Sequence, residues 1–170
     1  MALTSYWLDE DNAIVRVSGD WDRFARENDG SGLYSADIGG KSIWNFISGD
    51  SSRMWLEALL QLTRLTGKAI SRPYRCDSPD LKRFMTMTII PEGSGRLRVE
   101  HAILATEARQ APVYIRYAAK ATLPSFYQRC SVCGRVRHTP AEPWLEPDEL
   151  CARREAELSV IYAVCEDCGV

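Results

Sequence analysis

The residues best placed to do chemistry are four of the chain's six cysteines. Cys130-Ser131-Val132-Cys133 and Cys165-Glu166-Asp167-Cys168 form two CxxC pairs with 31 residues between them. A two-residue gap lets both sulfurs of a pair face one point, and two such pairs can converge on one ion. Four sulfur donors suit tetrahedral Zn²⁺ and leave no coordination position open for substrate. The spacing therefore predicts a structural metal site with Cys130, Cys133, Cys165 and Cys168 as ligands. Two separate redox pairs, or an iron–sulfur cluster, are the competing readings. A redox CxxC opens a helix inside a βαβ unit, and neither pair stands in such a pattern.

Other reactive side chains are weaker candidates. Cys76 sits beside Asp77, with Arg72 and Arg75 near in sequence. Arginine can lower a thiol pKa, which would make Cys76 a redox sensor, although Asp77-Ser78-Pro79 also reads as a plain turn. His101 shares a strand face with Leu97, Val99 and Ile103. If that face lines a pocket, the imidazole could hold a ligand or a haem iron; otherwise it is a core histidine bonded to a neighbour. Trp44 and Trp55 join Cys76 and His101 as candidate ligand-binding residues, within an aromatic set (Trp21, Phe24, Trp44, Phe46, Trp55) that reads first as core. Cys151 reads as a small buried hydrophobe, and His138 is not needed where four thiolates are available. No Walker loop, HExxH or GxSxG is present. A Cys76–His101 nucleophilic pair has no third group to orient it, so the expectation is a protein that is not an enzyme.

Size and charge narrow the partners. A chain of 170 residues suits one domain with a small satellite. Its 45% hydrophobic content is ordinary for a globular core. No apolar run approaches the roughly 18–20 residues that cross a bilayer, and the first residues lack the pattern of a signal peptide. The expected location is the cytoplasm, where thiols stay reduced and cysteines point to metal before disulfides. Net charge is −2. Residues 126–170 carry five arginines against eight acids, and four thiolates around one divalent ion would add further negative charge. Such a surface repels phosphate, so a nucleic-acid-binding zinc protein is the disfavoured alternative.

The elements that must position these residues follow from periodicity. Residues 6–8 and 13–17 read as strands around a turn at 9–12. Asp20 stands where a cap would precede a helix over 21–27, with Trp21, Phe24 and Ala25 inward. Residues 28–32 stop it. Gly39-Gly40 marks a turn into a short helical piece bearing Ile43, Trp44, Phe46 and Ile47. A long helix is expected over 51–66, with Asp50 as cap, Gly67 as stop, and Trp55, Leu56, Leu59, Leu60, Leu62 and Leu65 as a wide apolar face. Strands are then expected over 69–75, 82–90 and 96–105, the last two joined by a turn at 91–95. Met85, Met87 and Ile89 share one face of the second. Residues 107–124 are mixed: Pro112 and Pro124 bracket an alternating run at 113–117, read as the connector between modules. Residues 147–158 read as helix-like. The expected class is α+β: a five-stranded antiparallel sheet with helices on one face, plus a small zinc-ribbon-like module.

Two stretches resemble known families. Trp21-Asp22-Arg23-Phe24-Ala25-Arg26-Glu27-Asn28 followed by Ile38-Gly39-Gly40-Lys41-Ser42-Ile43-Trp44, in this order of elements, is similar to the bacterial PAS pattern. Tyr74-Arg75-Cys76-Asp77-Ser78-Pro79 resembles a stretch in one group of bacterial PAS-like proteins. The resemblance covers about residues 5–106. It implies a sensory or interaction module with a pocket between sheet and helices, and no catalysis. The run from Tyr127 to Arg137, with Trp144, Glu149 and Val164 to Cys168, resembles a small cysteine module of PAS-containing sensor kinases. Here Glu166 replaces that module's proline, and Tyr162 stands where it has histidine.

Together these give a PAS-like sensory domain at 1–106, a linker at 107–124 and a zinc-binding module at 125–170. The expected role is signal transduction without catalysis, through a protein partner, since no kinase or cyclase segment follows Cys168 in the chain. A homodimer is compatible with the resemblance. Neither membrane nor nucleic acid is expected as a partner. The alternative is a ligand-, haem- or redox-sensing protein, with an unidentified small molecule in the pocket near His101 or with Cys76 as the sensor.

Overall fold

The structure is a computed structural model that describes residues 3–27, 30–118, 127–151 and 155–169. Its larger part is a five-stranded antiparallel sheet. The strands are β1 (Leu3–Leu8), β2 (Ile14–Val17), β3 (Ile70–Arg75), β4 (Leu81–Gly93) and β5 (Arg96–Ala108), in the spatial order β2-β1-β5-β4-β3. The expected strands are all present, and β4 and β5 run a few residues further than expected at one or both ends. Alternation fixes the register: Met85, Met87 and Ile89 of β4 and Leu97 and Val99 of β5 are buried on one face. Pro73, which cannot donate to a ladder, lies in β3 at the sheet edge. Gly93, Ser94 and Gly95 all have positive φ, which closes the β4–β5 hairpin.

Helices cover the buried face. Between β2 and β3 the chain forms α1 (Trp21–Glu27), α2 (Ser35–Ile38), a 3₁₀ turn at Ile43–Asn45 and the long α3 (Asp50–Thr66). The α3 boundary differs by one residue from expectation. Gly49, at φ +85°, occupies the cap position without a side-chain bond, and Asp50 is the first helical residue. The far end is as read: Gly67 is left-handed, and its N–H donates to the Thr63 carbonyl at 3.0 Å. Leu56, Leu59, Leu60 and Thr63 face Tyr6, Leu8, Met87, Ile89, Leu97 and Val99 across the core. Leu62 and Leu65 do not join them. At 3.6 residues per turn they rotate past the sheet, and Leu65 is 84% exposed. Arg64 ties the helix end to the sheet turns, donating to the Asp9 and Gly95 carbonyls and to Asn12 Oδ1.

The cysteine-bearing end is a mixed four-stranded sheet, in the order β6-β9-β7-β8. Its strands are β6 (Val113–Tyr117), β7 (Tyr127–Cys130), β8 (Val136–Arg137) and β9 (Ala156–Ala163). β9 runs parallel to both β6 and β7, while β7 and β8 are antiparallel. The run at 113–117, read as connector, is thus an edge strand of this second sheet. The run at 147–158 is not one helix. Only α4 (Pro147–Leu150) is helical, and the chain enters β9 at Ala156. Leu158 and Val160, two apart, are the buried residues of β9, and its central place between two partners outweighs any helical tendency. Asn28, Asp29, Pro124, Arg153 and Arg154, which entered the sequence reading, lie outside the described residues. Among the described residues no helix is long and apolar enough to cross a membrane.

Candidate metal centre and the adjoining cavity

Parallel pairing brings the two CxxC pairs to one place. Cys130 at the end of β7 sits opposite Ala163 at the end of β9, so both cysteine loops leave neighbouring strands at the same level. The first loop turns back into β8 as a tight knuckle. Gly134 adopts φ +75°, its N–H donates to the Cys130 carbonyl at 3.0 Å, and Cys130 N–H donates to the Arg135 carbonyl at 2.8 Å. The second loop is a 3₁₀ turn at Glu166–Cys168, in which Cys168 N–H donates to the Cys165 carbonyl at 3.0 Å.

The four sulfurs lie within 4.8 Å of one another, and Cys133 Sγ is 3.8 Å from Cys165 Sγ. A disulfide needs about 2.05 Å, and all four thiols are free. A tetrahedron with metal–sulfur bonds of about 2.3 Å has sulfur–sulfur edges of about 3.8 Å. The donor set and its spacing therefore fit one four-coordinate ion. Electrostatics already favour a thiolate at Cys130. The neighbouring Cys133 thiol and backbone N–H groups of Cys133, Cys165 and Val132 shift its pKa down, while the thiols of Cys133 and Cys168 are shifted up.

The cluster is anchored on several sides. Trp55 of α3 donates its indole N–H to the Cys168 carbonyl at 3.0 Å. The Ser52 and Ser131 hydroxyls are bonded to each other. Arg75 N–H donates to the Val132 carbonyl at 2.7 Å, which joins the end of β3 to the knuckle. Glu166 accepts from Trp144 Nε1 at 2.8 Å and from Arg137 at 3.2 Å, while the Arg137 guanidinium lies over the Trp144 ring. A carboxylate at position 166 thus has its own partners. Cys151 and His138 are not in the cluster: Cys151 packs against Val113, Leu158 and Val160, and His138 against the Tyr127 ring.

Between the two sheets lies a second polar centre that sequence reasoning missed. Asp77, read as a turn residue, is 4% exposed and accepts from both ends of the Arg75 guanidinium, at 2.9 and 2.6 Å. Arg109, 2% exposed, reaches Asp77 at 2.6 Å and Asp148 at 2.7 Å. Lys82 is 2.7 Å from Asp148, and Arg75 is 3.3 Å from Glu146. Burial works to raise the Asp148 pKa, but hydrogen bonds from Lys82 and Arg109 more than offset it, and the net shift is downward. Arg75 and Asp77 are two residues apart, but no sequence signal joins them to Arg109, Asp148 and Glu146, because those contacts span 32 to 71 positions. The stretch from Tyr74 to Pro79 was visible only as a resemblance.

A cavity of about 400 Å³ adjoins this centre, with Arg75 and Asp77 in its lining. Tyr6, Tyr74, Met87 and His101 come from the first sheet, Ser52, Trp55 and Leu56 from α3, and Arg129, Cys130, Ser131 and Gly134 from the cysteine knuckle. His101 Nδ1 is 2.8 Å from the Tyr74 hydroxyl and its ring stacks on Tyr6. Burial lowers the imidazole pKa to about 4, so it is neutral near pH 7. Of the candidate ligand-binding residues, Cys76, His101 and Trp55 line this cavity. Trp44 does not. It packs on the main core beside Ile43. Cys76 is exposed as a residue, and desolvation of its sulfur raises the thiol pKa against the pull of Arg83. That shift is opposite to the one a redox-sensing thiolate needs.

No family profile and no curated protein matches the chain. Among solved structures it is similar to the PAS domain of nitrogen regulation protein NR(II) from Vibrio parahaemolyticus, at 20% identity, over 61% of this chain and 91% of that one, with a TM-score of 0.40.

Proposed function

We propose that this chain is a non-enzymatic signalling protein. In this reading residues 1–106 form a PAS-like sensory unit and residues 125–170 a module built around structural Zn²⁺. Residues 107–124 join them and contribute β6 to the second sheet. The observation that supports it best is the shared cavity: sheet, long helix and cysteine knuckle all line one space. Occupancy there would be felt in both parts, which is what a relay to a protein partner requires. The α+β order of elements and the five-stranded antiparallel sheet accord with the PAS resemblance of residues 5–106. Zinc is the ion of choice because four thiolates in a tetrahedron suit it and leave no open position for chemistry. In the cytoplasm, the compartment assigned to the chain here, those sulfurs would be reduced and ready to bind.

Native mass spectrometry of the purified chain tests the reading, since it reports metal, retained small molecule and subunit count together. One zinc per chain, lost together with the order of the second sheet when a chelator is added, is the expected result. A chain that carries no metal after purification in zinc-supplemented medium, and whose second sheet is indifferent to chelators, would sink it.

A second reading, that the front unit senses a small molecule, is favoured by the cavity itself, whose volume falls within the range of about 300–1,000 Å³ usual for ligand sites. His101 enters that reading as a neutral hydrogen-bonding group.

A further inference from the structure

The cavity is two-sided. Tyr6, Trp55, Leu56, Tyr74 and Met87 give it a flat apolar wall, and Arg129, Ser52 and Ser131 stand at the knuckle end. Leaving the sulfur cluster aside, the charged side chains beside it do not balance among the described residues: Arg75, Arg109, Arg129 and Lys82, with Arg135 3.9 Å from Glu146, face three carboxylates, Asp77, Asp148 and Glu146. The first two arginines and Lys82 each have a carboxylate oxygen at 2.6–2.7 Å. Among the described residues Arg129 is the one of the first four whose closest ion pair is longest: its guanidinium is 3.7 Å from Asp77, and its side chain is 12% exposed. Asp77 has little left to offer, because Arg75, Arg109 and the Arg83 N–H already occupy its oxygens. A largely enclosed cation this far from its carboxylate, lining an apolar cavity, suits an anion.

We propose that this cavity binds a small carboxylic acid with a flat apolar body. The carboxylate lies at Arg129, within reach of the Ser131 and Ser52 hydroxyls, and the body lies against Trp55 and Tyr74. The Tyr74–His101 pair that also lines the cavity is uncharged, and the lining Arg75 and Asp77 are bonded to each other, which leaves Arg129 to orient the ligand. The proposal rests on the reading of the front unit as a small-molecule sensor and adds the chemical class that it senses. Because Arg129 adjoins Cys130, a bound acid also restrains the knuckle, so acid and metal binding reinforce each other.

The test is titration calorimetry of the full, zinc-loaded chain with phenylacetate and with its neutral counterpart phenylacetamide. The expected result is one site per chain, with the acid bound roughly ten-fold or more tighter than the amide, the usual worth of a hydrogen bond to a charged group. In Arg129→Gln the acid should fall to the level of the amide, while amide binding stays unchanged. Ser131→Ala provides a milder variant, expected to weaken the acid alone should Arg129→Gln not fold. Equal binding of the two probes by the native chain would overturn the carboxylate assignment and leave the sensing pocket standing. Binding of neither probe would overturn the assignment and the pocket together. Native preference retained in Arg129→Gln, with only zinc affinity altered, would show that Arg129 serves the sulfur cluster instead.

Discussion

The two sheets are held together by different means. The first has a broad apolar core in which Leu8, Leu59, Leu60, Ile89, Leu97 and Val99 are fully enclosed. Among the described residues the second encloses two small clusters, Val113 with Leu158 and Val160, and Val132 with Cys130 and Cys165, besides the buried Val136. What it lacks in apolar burial is supplied by four sulfurs on one side and by the Asp77 charge centre on the other. Small modules with so few core residues depend on a metal or cross-link. The first sheet should therefore tolerate loss of the metal, and the second should not.

Chelation offers the largest effect and the most direct way to break that contrast. Metal binding at such sites is worth on the order of 10–16 kcal/mol in small zinc peptides. If zinc is bound as proposed, then on its removal, or in Cys130→Ser, amide exchange should become fast along β7 and β9 while β4 and β5 stay protected. Hydrogen-exchange mass spectrometry with and without chelator checks this. Protection lost equally in both sheets would mean that they form one cooperative unit.

The charge centre should come next. Asp77→Ala leaves the buried Arg75 and Arg109 short of their common partner, and breaking a buried pair costs about 3–5 kcal/mol. Urea unfolding should show that loss. Because Arg75 also bonds the knuckle backbone through its N–H, zinc affinity should fall in the same variant. A loss below about 1 kcal/mol would mean that water or Glu146 readily replaces Asp77.

How much of this could be read from the sequence depends on how far apart the cooperating residues lie. The five strands, α3 with its Gly67 stop, and the sulfur set follow from patterns a few residues long: alternation, helical period, CxxC. Leu62 and Leu65 misled because leucine type says nothing about which way a helix is turned once it meets a sheet. The 147–158 run misled because β9 is a strand only through its two parallel neighbours, one of them the presumed connector. Asp77, Arg109, Arg129 and Asp148 could not be assembled at all. A turn aspartate and scattered arginines look solvated until the fold encloses them.

The first sheet has its own titratable weak point at His101. Its pKa is about 4 when folded, against about 6.5 for a free imidazole. Between those values the unfolded chain takes up a proton that the folded chain refuses, so stability is complete above about pH 6.5 and declines as pH falls toward 4. The decline attributable to this group is of order 3 kcal/mol. The gap in stability between the native chain and His101→Gln should therefore narrow or reverse over that interval. A gap constant from pH 7 to pH 4 would mean that His101 titrates normally.

The smallest effect belongs to the seam between the sheets. Gly49 sits at φ +85° at the start of α3, and a Cβ built there would be 2.9 Å from the Cβ of Tyr162 on β9. Gly49→Ala therefore meets both backbone strain, about 1–3 kcal/mol, and a clash with the second sheet. Tyr162→Gly removes the clash and leaves the strain. If the seam is close-packed, the double variant should be less destabilised than the sum of the two single ones, by about 0.5 kcal/mol or more. Strict additivity in urea unfolding would mean that the second sheet yields at this point.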